Sequence, residues 1–172
     1  MRLILLTHSR ELNKPSNTGQ LVQQYFPDTI KIIWQRKQPD DFLMQLINTE
    51  STVLVFPCDN PVTESRKVAQ FKNYILIDST WQEARKIFNH SPYLQDLPCI
   101  KIKSQQQSVY QLRRNQLEGG LCTAETAIEI FRLNTMAEKA DQLTAGLKKF
   151  VSLKEIRPEE IRPEEIKKEE IK

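Results

Sequence analysis

Glycine is scarce in this chain: there are four in 172 residues, at Gly19, Gly119, Gly120 and Gly146. Phosphate-binding P-loops and dinucleotide fingerprints need several glycines at fixed spacing, so nucleotide binding by those routes is excluded, and a zinc-protease helix motif is absent as well. Cysteine is equally sparse. Cys58, Cys99 and Cys122 are far apart, odd in number and without a C-x-x-C pair, which argues against a disulfide framework and against a structural zinc site. Free thiols in a reducing compartment are the expectation. Only two histidines occur, His8 and His90, and no G-x-S-x-G nucleophile elbow accompanies them. No apolar run approaches the roughly 20 residues of a membrane span. Met1 to Leu6 is also too short for the apolar region of a signal peptide. A cytoplasmic enzyme or binding protein is therefore expected.

What is present fits one soluble domain, with 39% hydrophobic and 27% charged residues and a length that supports a core without metal or disulfide staples. The net charge of +3 is uneven: Lys154 to Lys172 hold six basic and seven acidic residues, so this stretch contributes −1 and residues 1–153 carry +4. A mild basic bias of this kind permits a polyanionic partner without demanding one. The tail repeats as IRPEE-IRPEE-IKKEE-IK with a period of five, which matches neither a heptad nor a strand, and Pro158 and Pro163 interrupt any long helix in its first half. Residues 1–153 are expected to form the domain, and 154–172 a charged tail that is disordered or locally helical.

Short apolar, β-branched runs read as strands at Arg2–Thr7, Thr29–Trp34, Thr52–Phe56, Asn73–Asp78 and Leu97–Ile102. Helical patterns separate them. Ser16 or Asn17 caps one through Tyr25, and Asp40 caps one through Ile47 with Phe42, Leu43, Leu46 and Ile47 as its apolar side. A third covers Trp81–Asn89, with Trp81, Ala84, Ile87 and Phe88 on one face. The fourth follows Gly119-Gly120 with Thr123 as cap, and the fifth spans about 136–153, weakened at Gly146. Strands alternating with helices predict an α/β fold, a mainly parallel sheet with helices on both faces. Ligands in such sheets bind beyond the carboxyl ends of the strands, which directs attention to His8–Glu11, Pro57–Asn60 and Asp78–Trp81.

Each of these clusters also has a bland reading. Thr80 with Glu83 fits a capping box, as does Ser79 with Gln82. Pro57 and Pro61 can simply end a strand. Arg113 and Arg114 precede a glycine pair at a helix N-terminus, where exposed amides favour anions, or they lie in an ordinary surface loop.

The order of the motifs carries more than any one of them. H-x-x-E (His8, Glu11), N-T-G (Asn17–Gly19), F-P (Phe56, Pro57), D-x-T-W (Asp78–Trp81) with A-R-K behind it (Ala84–Lys86), S-x-Y-x-L-R (Ser108, Tyr110, Leu112, Arg113) and G-L-x-T-x-E (Gly120, Leu121, Thr123, Glu125) follow one another across Leu3–Thr135. In this the chain resembles the DTW-domain family. That resemblance implies a SPOUT-like fold with a knotted backbone, S-adenosylmethionine held among late loops, and a tRNA partner. The implied reaction transfers the 3-amino-3-carboxypropyl group of S-adenosylmethionine to N3 of a tRNA uridine and releases methylthioadenosine. Many members begin with a cysteine cluster that looks zinc-binding; this chain starts at the first strand, so no metal is expected. Cys122 and Thr126 stand where serine and alanine are usual.

The implied chemistry assigns roles. Removing the N3 proton calls for a carboxylate, with Asp78 first and Glu125 second. Pro57, Thr80, Trp81, Tyr110, Leu112, Gly120, Leu121 and Thr123 are the expected cofactor-binding set. Trp81 serves either as a stacking surface or as the core anchor of its helix. Arg113 suits a carboxylate or a phosphate through its planar fork. His8, Glu11, Arg85, Lys86, Arg113 and Arg114 are expected to face substrate RNA, with Lys101 and Lys103 adding to a phosphate-contacting face. The competing readings are a SPOUT-like RNA methyltransferase, a non-catalytic RNA-binding module, and an α/β domain unrelated to RNA.

Overall fold

In a computed structural model the described residues are 1–58, 61–63, 65–102, 108, 110 and 120–156. Five strands, β1 (Arg2–Thr7), β2 (Ile30–Ile33), β3 (Thr52–Val55), β4 (Asn73–Asp78) and β5 (Cys99–Ile100), form one sheet in the order β2-β1-β4-β3-β5. All four pairings are parallel. The helices are α1 (Thr18–Tyr25), α2 (Asp41–Thr49), α3 (Ser65–Val68), α4 (Trp81–Asn89), α5 (Pro92–Gln95), α6 (Thr123–Leu133) and α7 (Ala137–Ile156).

The continuous apolar run of β1 is what a parallel strand covered on both faces requires. Successive side chains alternate: Leu3 and Leu5 join one core with Leu21 of α1, Ile128 of α6 and Leu143 of α7. Ile4 and Leu6 join a second core with Leu43 of α2, Ile87 of α4 and Leu94 of α5. The result is the expected α/β layering of helices on both faces. Chain direction across the sheet changes between β1 and β4, since β1 leads outward to β2 while β4 leads the other way to β5. The carboxyl ends of these two neighbours, Thr7 and Asp78, lie in register, and a crevice at such a reversal is where parallel sheets bind ligands.

Local capping follows the residue chemistry. The Asn17 side chain accepts from the amides of Gly19 and Gln20, Asp40 from Leu43, and Thr80 from Glu83, closing three helix N-termini as predicted. Ser79 does not cap; its hydroxyl donates to the carbonyl of Thr80.

Several expectations are corrected. Cys122, not Thr123, caps α6, because the Thr123 hydroxyl turns inward to a buried carboxylate and leaves the cap to its neighbour. Phe42 is exposed rather than on the packed side of α2. Helix α7 runs unbroken through Gly146, where the Tyr25 ring of α1 packs so closely that a Cβ would lie 2.5 Å from its Cζ. The fifth strand is only Cys99–Ile100, and the short helices α3 and α5 had no separate sequence signal. The expectation of three free thiols fails too. Pairing of β3 with β5 brings Cys58 and Cys99 together, Cα to Cα 6.5 Å, and they form a disulfide; only Cys122 remains free. Sequence distance concealed a contact that depends on strand order.

The knotted backbone implied by the resemblance concerns late loops, and residues 103–107, 109 and 111–119 lie outside the described residues, as do 157–172 of the tail.

Candidate functional site

Asp78 ends β4 and is 1% exposed. It therefore stands beneath the surface of the sheet edge, not at an open mouth. A buried carboxylate needs partners, and three elements supply them. Oδ2 accepts from the Thr7 hydroxyl of β1 at 3.3 Å and from the Asn17 amide nitrogen at 3.0 Å, while Oδ1 accepts from the Thr123 hydroxyl of α6 at 2.9 Å. Gly19 in the first turn of α1 lets the helix come this close, since a Cβ there would lie 2.5 Å from Oδ2.

The surrounding bonds extend the junction. The Asn17 Oδ1 caps α1 while its Nδ2 also donates to the Glu11 carbonyl at 2.9 Å. The Ala124 amide donates to the Thr18 hydroxyl at 3.3 Å, which joins α1 and α6 a second time. The His8 amide donates to the Asp78 carbonyl at 3.2 Å. Asn17, Thr18 and Gly19, which the sequence offered as a motif without a role, are thus the seat of the carboxylate.

Glu125 is buried as well, and its carboxylate is occupied. Oε2 accepts from the Cys122 amide and from the Ser108 hydroxyl, both at 2.9 Å, completing a capping box. The Cys122 thiol accepts from the Glu125 amide, and burial followed by the nearby Glu125 charge pushes it up to about 12. Tyr110, wholly buried, donates its hydroxyl to the Ser16 carbonyl at 2.6 Å. Ser108 and Tyr110 are therefore tied to the N-terminal ends of α6 and α1 respectively.

The remaining expected residues separate into groups. Glu11 is buried and paired with Lys14 Nζ at 2.5 Å, so it supports the turn after β1. Thr80 caps α4 and donates to Glu83 Oε2 at 3.0 Å. Burial works against the Glu83 charge, yet the hydrogen bonds from Thr80 and the nearby Lys14 hold its carboxyl below the ordinary value. Trp81 is half-buried, stacked on Phe56 at 5.6 Å, as a core anchor would be. Gly120 and Leu121 are half-buried beside α6, and Pro57, Arg85, Lys86 and Lys101 are exposed. Leu112, Arg113, Arg114 and Lys103 lie outside the described residues. Among the described residues no three His, Cys, Asp or Glu side chains gather as a metal cluster would.

One residue at this edge escaped the sequence reading. Trp34 follows β2, its amide donating to the Thr7 carbonyl at 2.9 Å, and its ring stacks with His8 at 6.0 Å and 27°. Its position at the end of an apolar run reads only as the close of a strand.

Four of the quoted motifs thus send a residue, His8, Asn17, Asp78 and Thr123, to the ends of β1 and β4. The DTW domain family matches residues 1–154 of the chain. Among curated proteins, tRNA-uridine aminocarboxypropyltransferase 2 of Drosophila melanogaster is 26% identical over 135 residues, covering 74% of this chain and 54% of that protein. The chain thus spans about half the length of that relative. No solved structure matches it. With the family match covering nearly the whole described domain, the chain belongs to the DTW-domain family.

Proposed function

We propose that this protein transfers the 3-amino-3-carboxypropyl group of S-adenosylmethionine to N3 of a uridine in tRNA, releasing methylthioadenosine. Membership of the DTW-domain family carries the reading, supported by the name of the Drosophila relative. The reaction breaks the bond from sulfur to the carboxypropyl carbon and forms one from that carbon to N3, whose proton leaves. Sulfur takes the bonding pair and departs as a neutral thioether.

Two demands fall on this chain: aligning the reactants and accepting or relaying the N3 proton. Alignment is the stronger case. The Asp78 junction fixes β1, β4, α1 and α6 at one point, so the loops after β1 and β4 are held relative to the segment 120–123. Asp78 is the first candidate base and Glu125 the second. Each already accepts from protein donors, so proton removal by Asp78 requires bound substrate to displace the Thr7 or Thr123 hydroxyl. The exposed Arg85, Lys86 and Lys101 would meet phosphates. Thr80, Trp81, Gly120 and Leu121 would line the donor's pocket.

The test is product identity. Incubation with S-adenosylmethionine and tRNA should yield methylthioadenosine and a uridine heavier by the aminocarboxypropyl group. S-adenosylhomocysteine with a methylated nucleoside would instead establish a methyltransferase.

A further inference from the structure

We propose that His8 and Trp34 form a base-stacking shelf for an unpaired nucleotide of the RNA adjoining the modified uridine, an inference that rests on the tRNA reading above. The two rings stand at the carboxyl ends of neighbouring strands β1 and β2, at the edge where Asp78 ends β4. Both residues are half-buried, Trp34 against the second core.

Each ring is fixed in orientation. The Trp34 Nε1–H donates to the hydroxyl of Ser91 at 2.9 Å, and Ser91 is wholly buried at the start of α5. The indole's one polar atom is therefore satisfied inside the protein, which leaves its π system as the group available to stack. His8 is held at two points: its amide donates to the Asp78 carbonyl, and its Nδ1 accepts from the Arg10 amide at 3.2 Å. An accepting Nδ1 places the neutral ring's proton on Nε2, a donor suited to a base edge or a phosphate.

The 6.0 Å centroid separation and 27° interplanar angle lie in the range of offset stacking, which a third ring can extend. A planar nucleobase stacks on such a surface whatever its sequence. The charge nearby suits the phosphate attached to it. Arg10 lies two residues after His8 with its side chain 78% exposed, and Arg36 and Lys37 are exposed two and three residues after Trp34. Of the acids close by, Glu83 is shared with Arg10 at 3.6 Å and Thr80, and Asp40 caps α2. Modifying N3 requires a uridine drawn out of its stack, and the neighbouring base, deprived of its own stacking partner, gains most from a substitute surface.

The experiment measures tRNA binding by fluorescence anisotropy across a salt series for the wild type, Trp34→Leu, Trp34→Phe and His8→Ala, with thermal midpoints recorded for each. Trp34→Leu and His8→Ala should weaken binding about tenfold at every salt concentration with parallel salt slopes, because a lost stack removes no phosphate contact. Trp34→Phe, which keeps a ring, should bind within about twofold of wild type. In turnover, the KM for tRNA should rise while that for S-adenosylmethionine stays unchanged. Wild-type affinity in both Trp34→Leu and His8→Ala overturns the shelf; if Trp34→Leu fails to fold, His8→Ala decides. A wild-type protein that does not bind tRNA overturns the RNA reading itself, a separate result.

Discussion

The hydroxyl of Thr123 donates to Oδ1 of Asp78 at 2.9 Å, tying the first turn of α6 to the end of β4 across 45 residues of chain. Both groups are buried, so neither finds a replacement in solvent. Thr123→Val keeps the shape and removes the donor, and should lower stability by about 1–3 kcal/mol in urea titration. Thr123→Ser keeps the bond and should stay within about 1 kcal/mol of wild type. Equal stability for Val and Ser would show that the bond contributes nothing.

Asp78→Ala leaves the Asn17 amide and the hydroxyls of Thr7 and Thr123 without their acceptor, and should cost about 3 kcal/mol or more. Asp78→Asn preserves volume but sets an amide against the Asn17 donor. If Asp78 removes the N3 proton, single-turnover transfer by a folded Asp78→Asn protein should vanish while tRNA binding persists. Retained transfer by Asp78→Asn confines Asp78 to positioning.

Gly19→Ala reverses an ordinary expectation. Alanine in place of a helical glycine usually stabilises by roughly 0.5–1 kcal/mol. Here the new methyl meets the Asp78 carboxylate at 2.5 Å, and Asp78 is held on three sides. Melting should show a loss of about 1–3 kcal/mol, the cost of overpacking. Gly146→Ala meets the hydroxyl end of the half-buried Tyr25 ring in place of a carboxylate held on three sides, so its loss should be smaller.

Cys122 gives a pH signature. Its thiol rises from the ordinary 9.0 to about 12 in the fold, chiefly through burial. The raised value favours the protonated fold, so its contribution is fully present below pH 9 and is lost as pH climbs from 9 towards 12, where the unfolded thiol ionises first. Urea midpoints of wild type should fall over that range more steeply than those of Cys122→Ser. The serine variant should also gain stability below pH 9, on the order of 1 kcal/mol, because a hydroxyl caps better than a thiol accepting at 3.5 Å.

Thiol counting tests the covalent link. Alkylation in denaturant without reductant should label one cysteine, Cys122, and all three after reduction. Three labels without reductant would show that Cys58 and Cys99 are not joined.

The fold was largely legible because its signals are local. The apolar run of β1 and the Asn17, Asp40 and Thr80 caps each report their own neighbourhood. What stayed hidden depends on strand order. Nothing in sequence says that β3 and β5 are neighbours, so the Cys58–Cys99 link was unreadable. Thr123 looked like a cap because the pattern of a hydroxyl before a helix does not show which way the hydroxyl turns. Asp78 stood out as an acid ending a strand, but its three donors come from distant segments and were visible only after folding. Trp34 reads as the close of a strand, since a sequence does not reveal that β2 is an edge strand with its end beside His8.

Aminocarboxypropyl transfer moves the carboxyl carbon of the donor onto the RNA, so isotope placement distinguishes it from methyl transfer. S-adenosylmethionine labelled in its carboxyl carbon is incubated with the protein and tRNA, and nucleosides from the recovered RNA are separated. Label should appear in an N3-substituted uridine together with an equal amount of methylthioadenosine. Unlabelled RNA accompanied by S-adenosylhomocysteine, or no change in the RNA at all, would contradict it.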